Sequence, residues 1–222
     1  MRAQFITGTG TDIGKTWLAC ALLRHWREQG KRPEALKPVL SGFDPADPAA
    51  SDAGALLAAL GRPVDARALD AIAPWRYAAP LSPDMASARE GRLVPFDALV
   101  AFTRRAAEKA AGPLLVEGVG GVMAPLDEHH TVRDWIAASG LSCVLVTGSY
   151  EYSMSHTLTA LECLAHAGVP VAAIAVNETE GSGVALGQTL ASLTNHVGGI
   201  PLLGIRRDDP GPGIARLAGL LA

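Results

Sequence analysis

The chain has 222 residues, 49% of them hydrophobic and only 5% aromatic, so it can bury one substantial core built mainly from Ala, Leu and Val. Its formal net charge of -3 sets up no global field that would draw it to nucleic acid or to an anionic membrane surface, so any anion site must be built locally. Cys20, Cys143 and Cys163 lie in apolar stretches without metal-ligand spacing, and their odd number leaves one unpaired in any disulfide scheme, which points to a reduced, cytoplasmic setting.

The first apolar run, residues 4–7, reads as a strand. It leads through Gly8-Thr9-Gly10-Thr11-Asp12-Ile13-Gly14-Lys15-Thr16 into a helix expected over 16–29, where Leu18, Leu22, Leu23 and Trp26 fall at helical spacing and Gly30 is placed to end it. A glycine-rich turn between strand and helix lets the backbone wrap closely around phosphate oxygens, and the helix N-terminus presents unpaired N–H groups. Lys15 adds a full charge, and the Thr16 hydroxyl suits a magnesium ion. Five residues, rather than the usual four, separate Gly8 from Gly14, so this is a lengthened variant of the phosphate-binding loop. A nucleoside triphosphate is the expected ligand.

A second strand-like run over 35–40 carries Lys37-Pro38-Val39-Leu40 and passes into Ser41-Gly42. Lys37 admits two readings there: stabilising charge on a transferred phosphoryl group, or snorkelling from a strand end. Residues 42–95 are richer in Pro, Ala and Asp, with turns expected near Asp44-Pro45, Asp47-Pro48 and Ser82-Pro83 and a helix over 52–60; the segment reads as an elaboration over the active site. Asp52 suits either a helix N-cap or a metal carboxylate. A helix over 96–111 places Arg104-Arg105 on its solvent face, and the strand 114–117 ends in Glu117, followed by Gly118-Val119-Gly120-Gly121. Glu117 is thereby placed to complete a magnesium site opposite the phosphate loop.

His129-His130 reads as part of a solvated loop before a helix over 132–139, since no helical spacing sets the two imidazoles around a metal. A strand over 143–147 precedes a helix over 155–167; Ser153 and Ser155 lie near His156 but lack a nucleophile-elbow sequence. The strand 171–177 ends in Asn177-Glu178, where the Asn177 amide can meet a purine edge or simply form a turn. Helices over 184–196 and 214–221 complete the chain. Trp17, Trp26, Trp75 and Trp135 read as packing residues, because no basic stripe accompanies them as a base-stacking platform would require. No stretch reaches membrane-spanning length and the N-terminus lacks a signal-peptide core, so a soluble, unexported protein is expected. The alternation of strands and helices predicts an α/β class: one P-loop domain over 1–222, with a mostly parallel sheet covered by helices on both faces.

Taken in order, Thr7-Gly8-Thr9 through Gly14-Lys15-Thr16, Lys37-Pro38-Val39 with Ser41-Gly42, Ser51-Asp52-Ala53, Pro80 with Ser82-Pro83, and Val116-Glu117-Gly118 with Gly120-Gly121 resemble the dethiobiotin synthetase family over most of the chain. The resemblance implies a homodimeric ATP- and Mg2+-dependent enzyme that closes a cyclic urea on 7,8-diaminopelargonate with carbon dioxide. It further implies that Thr11, Lys15 and Lys37 surround a substrate carbamate and the γ-phosphate, that Thr16, Asp52 and Glu117 serve magnesium, and that Ser41 faces the diamine. Gly8, Asp12, Ile13, Gly14, Trp17, Gly118, Val119, Gly120, Asn177 and Glu178 would complete the nucleotide site, with Asn177 at the adenine. Tyr150, Ser153 and Ser155 would belong to a loop reaching the partner subunit's substrate. In that loop, Glu151-Tyr152 departs from the apolar residue and small residue expected there, and Gly204-Ile205-Arg206-Arg207 departs from an Ile-Pro pair expected near the base. A related amidoligase, or a nucleotide-driven switch of the partitioning-ATPase kind, would share the phosphate loop. The first commonly carries a glutaminase domain for which this chain has no room, and the second favours a second lysine early in the loop.

Overall fold

The computed structural model describes residues 3–221; Met1, Arg2 and Ala222 of the expected domain span lie outside the described residues. The elements are β1 (Ala3–Gly8), α1 (Lys15–Glu28), β2 (Glu34–Leu36), β3 (Val39–Ser41), α2 (Asp52–Ala59), α3 (Ala66–Ile72), β4 (Trp75–Tyr77), α4 (Pro83–Arg89), α5 (Phe96–Lys109), β5 (Leu114–Glu117), α6 (Val132–Ser139), β6 (Cys143–Gly148), α7 (Ser153–His166), β7 (Val171–Asn177), α8 (Leu186–Thr194), β8 (Leu202–Ile205) and α9 (Gly211–Leu221). Six strands pair in parallel in the order β2-β5-β1-β6-β7-β8. This is the α/β class with a parallel sheet that the alternation of elements predicts.

The order of the strands fixes where a ligand can sit. The chain leaves β1 in one direction, through α1 to β2, and later crosses in the other direction through α6, α7 and α8. Right-handed crossovers then put α1 on one face and α6 to α8 on the opposite face. The reversal occurs at β1, so a crevice opens beyond its carboxyl end, and the phosphate loop lies there. The β1 strand is buried throughout, as a central strand covered on both faces must be.

Packing holds these layers in register. Leu18, Leu22 and Leu23 of α1 are fully buried, each stabilising the fold by about 1.5–3 kcal/mol, and Trp26 continues the same stripe. On the other face Trp135 meets Phe5 edge-on, with ring centroids 4.6 Å apart, and donates its indole N–H to Thr103 Oγ1 at 3.0 Å. That bond satisfies a polar group which would otherwise be costly to bury.

The run over 35–40 is not one strand. Pro38 has no N–H to donate, so the ladder stops after Leu36, and the Lys37 N–H turns to the Ile72 carbonyl at 2.9 Å. Val39–Ser41 then pairs with Trp75–Tyr77 in a separate two-stranded sheet. Within 42–95 the chain also forms α3 and α4, which the Pro- and Ala-rich sequence did not announce, and β8 was likewise unexpected. The helix expected from 155 starts two residues earlier. Trp26 and Trp135 are buried and Trp75 packs against Phe102, but Trp17 is 45% exposed and so is not a packing residue. It sits in the first turn of α1, on the side that faces the crevice. Arg104 and Arg105 are exposed, and His129 and His130 lie in a turn organised by Asp127, as expected. All three cysteines are free. Among the described residues no helix is long and apolar enough to cross a membrane.

Candidate active site

The phosphate loop is held from outside as well as by its own turn. The Thr9 N–H donates to the Val146 carbonyl at 3.0 Å, and the Gly8 carbonyl accepts from the Val122 N–H at 2.9 Å, so β6 and the loop after β5 fix its entry. Gly14, at φ 86°, caps α1 in the left-handed region that glycine adopts without strain. Asn177 Nδ2 donates to the Ile13 carbonyl at 2.8 Å, and a Cβ on Gly14 would come within 2.6 Å of that nitrogen. The spacing thus demands glycine twice over. Lys15 Nζ curls back to the Gly10 carbonyl at 2.6 Å. Burial is the main cause that lowers its pKa, to about 8, with Lys37 adding repulsion that Glu117, Asp52 and Asp12 partly offset.

A charged cluster faces the loop. Lys37 Nζ donates to Glu117 Oε1 at 2.6 Å and to the Gly118 carbonyl at 2.9 Å, and lies 2.9 Å from Asp52 Oδ2. Thr16 Oγ1 donates to the same Glu117 oxygen at 2.6 Å. The Lys37 and Glu117 side chains are 3% and 1% exposed, so Lys37 is not a snorkelling surface residue. Burial by itself would lower the Lys37 pKa, but attraction to Glu117 and Asp52 and hydrogen bonds to both carry it above the ordinary value. For Asp52, burial pushes upward, yet Lys37 and the hydrogen bonds from Lys37 and Thr16 hold it below the usual carboxylate range. The helix cap of α2 is Ser51, whose side chain accepts from the Gly54 N–H at 3.1 Å, which leaves the Asp52 carboxylate to the cluster.

The donor set suits a hard cation. Thr16, Asp52 and Glu117 present oxygens, and Glu117 Oε2 is buried without a hydrogen-bond partner among the described residues. Among the described residues no group of three or more His, Cys, Asp or Glu is arranged so that it could hold a metal ion. Two carboxylates and a hydroxyl match magnesium, which binds through few protein ligands alongside phosphate oxygens, and do not match zinc.

These groups line one cleft of about 1100 Å³. Of the residues expected in the site, Thr11, Asp12, Gly14, Lys15, Thr16, Trp17, Lys37, Ser41, Asp52, Glu117, Val119 and Gly120 border it. Ser41 Oγ is buried with no partner among the described residues. The segment 42–95 supplies a wall through Pro80 to Pro83, so it does overlie the site. Gly8 and Gly118 are buried behind the surface as framework, and Ile13 is half-buried outside the lining. Asn177 braces the phosphate loop, and Glu178 accepts from the Arg207 N–H at 2.9 Å. Tyr150, Ser153 and Ser155 do not border the cleft: the Tyr150 hydroxyl lies 2.9 Å from His156 Nδ1, Ser153 is fully buried, and Ser155 faces solvent. The structure adds Met123, His156, Thr159 and Cys163 to the lining. Only the helical spacing of His156, Thr159 and Cys163 hinted at a shared face.

A family profile described as "AAA domain" matches residues 2–205. The chain is 53% identical over 198 residues to a protein of Acidiphilium cryptum named "ATP-dependent dethiobiotin synthetase BioD", covering 89% of each. It is 49% identical over 203 residues to the protein of the same name from Caulobacter sp. (strain K31), covering 91% of this chain and 86% of that one. Among solved structures it resembles the hydrogenase maturation factor HypB of Archaeoglobus fulgidus, with a TM-score of 0.59, 13% identity, and coverage of 99% of this chain and 87% of that one. The signal recognition particle receptor FtsY of Elizabethkingia anophelis gives a TM-score of 0.56 at 11% identity, covering 99% of this chain and 64% of that one, slightly under two thirds of its length. At such identities these two structural likenesses show the fold alone.

Proposed function

The chain belongs to the ATP-dependent dethiobiotin synthetase family, and on that footing we propose that the cleft joins ATP, carbon dioxide and 7,8-diaminopelargonate in one site built around Lys37. The protein is an ATP-dependent ligase that makes dethiobiotin in biotin synthesis. The observation that carries the assignment of chemistry to residues is the buried Lys37, held between Glu117 and Asp52 and facing the phosphate loop across the cleft.

The reaction asks for positioning and neutralisation rather than a covalent enzyme intermediate. A carbamate formed on one substrate amine attacks the γ-phosphate through its oxygen, the phosphoryl group leaves ADP, and the second amine displaces phosphate as the ring closes. Thr11, Lys15 and Lys37 surround the carbamate and γ-phosphate and offset the charge that develops between them. Lys37 has three bonds in this arrangement, and the one to Asp52 is the most open to exchange, because that carboxylate is 42% exposed. Magnesium, when bound, neutralises phosphate charge as a Lewis acid. Thr16, Asp52 and Glu117 would hold it. Ser41, whose buried hydroxyl lacks a partner among the described residues, faces the diamine.

Two further parts of this reading rest on family likeness. The enzyme is a homodimer of the cytoplasm, each subunit one domain spanning 1–222, and the loop that carries Tyr150, Ser153 and Ser155 serves the partner subunit's substrate. Asn177 and Glu178 stand at the adenine end, joined to the phosphate loop through the Ile13 carbonyl. The test is phosphate release from ATP that requires both the diamine and carbon dioxide. Rapid release without the diamine would favour the nucleotide-switch reading instead.

A further inference from the structure

A chain of hydroxyls, half-buried at Thr9 and buried beyond it, connects the phosphate loop to the start of α7. Thr9 Oγ1 donates to Thr147 Oγ1 at 3.3 Å, Thr147 and Thr157 Oγ1 lie 2.9 Å apart, and Thr157 Oγ1 is 2.6 Å from the Ser153 carbonyl. Thr147 and Thr157 are both fully buried. The carbonyl can only accept, so it takes the Thr157 proton; Thr157 then accepts from Thr147, and Thr147 from Thr9. Each hydroxyl gives one proton in a single direction, and Thr147 and Thr157 each receive one as well. A threonine bonding the carbonyl four residues back is ordinary in a helix. The link from β6 is not, because Thr147 ends a run of Val144, Leu145 and Val146 where a valine would fill the same space without a polar group to satisfy.

A second tether brackets the same segment. Asn177, which donates to Ile13 in the phosphate loop, also accepts the Ser149 N–H on its backbone carbonyl at 3.0 Å, and Ser149 Oγ accepts the Thr179 N–H at 3.0 Å. Residues 149–153 are therefore tied to the phosphate loop at both ends.

We infer that Thr147 and Thr157 are positioning residues, which transmit the placement of the phosphate loop on a nucleotide to the segment between β6 and α7. Breaking one link strands a hydroxyl in a dry interior, at a cost of about 1–3 kcal/mol, so the loop and the segment are ordered together. The inference rests on the reading that the loop binds nucleotide, and the test separates the two. Amide hydrogen exchange is followed by mass spectrometry, with and without magnesium ADP, in the wild type and in Thr147→Val, Thr157→Val and Thr157→Ser. Nucleotide should slow exchange over residues 9–15 in every protein. Over residues 149–155 it should slow exchange by about 5-fold in the wild type and Thr157→Ser, corresponding to roughly one hydrogen bond, and by less than about 2-fold in either valine variant. Equal protection of 149–155 in the valine variants, or none there in the wild type while 9–15 is protected, overturns the inference. No protection of 9–15 in the wild type overturns the nucleotide reading and this inference with it.

Discussion

The Lys37 ammonium and the Glu117 carboxylate meet at 2.6 Å with both side chains buried, although 80 residues separate them in sequence. The β2–β5 pairing makes this possible: Leu36 registers with Val116, so the next residues, Lys37 just past β2 and Glu117 at the end of β5, emerge side by side at the same end of the sheet. A lysine and a glutamate that read separately as strand-end charges are therefore one unit.

Replacing Lys37 by methionine keeps the volume but leaves Glu117 buried without its cation. Breaking one side of a buried pair costs about 3–5 kcal/mol, and denaturant unfolding should show a loss near the lower figure, since Thr16 still donates to the carboxylate. Turnover should fall by about 10²–10³-fold while nucleotide affinity changes far less, as expected for a group that acts on transition-state charge. The stability gap has a sign in pH: the Lys37 pKa is raised in the fold, so its contribution is complete below the ordinary lysine value of 10.5 and fades only as pH rises past the higher folded value. Equal losses of turnover and affinity in steady-state and binding measurements would count against the role.

Lys15 should make nucleotide binding a proton-uptake event near pH 8. Burial and Lys37 bring its pKa to about 8 in the free protein, while phosphate oxygens favour the charged form and raise it. Affinity should therefore decline as pH climbs above about 8. Calorimetry in buffers of different ionisation enthalpy should register protons taken up by the wild type near that pH. The Lys15→Arg variant, whose guanidinium stays charged, should register almost none.

Trp17 should report nucleotide optically. Trp17 is 45% exposed and borders the cleft, whereas Trp26 and Trp135 are buried and Trp75 packs against Phe102. Titrating ATP with magnesium should change tryptophan emission in the wild type, and the change should be largely lost in Trp17→Phe without a comparable loss of affinity.

Much of this site is written in local sequence. The phosphate loop announces itself because glycines, a lysine and a threonine must be contiguous to wrap a phosphate, and β5 announces itself through an unbroken apolar run ending in Glu117. The break at Pro38 was harder to see: the run over 35–40 is apolar on both sides of Lys37, and only the Ile72 carbonyl, distant in sequence, explains where the lysine N–H goes. The helices α3 and α4 were hidden for a similar reason, since they are seven residues each and carry too few turns to show a periodicity. Asp52 could be read as a helix cap until Ser51 was seen to take that role. The α7 lining of the cleft depends on how β6 delivers the helix to the crevice, which no local pattern encodes.

The central claim is most directly tested by mass spectrometry of the product. Purified protein, ATP, magnesium, bicarbonate and 7,8-diaminopelargonate should yield dethiobiotin in step with phosphate, one for one, and neither should form when the diamine is withheld. Phosphate released at the same rate without dethiobiotin, from a folded protein that binds ATP, would contradict the account and direct attention to other amine or carboxylate acceptors for this cleft.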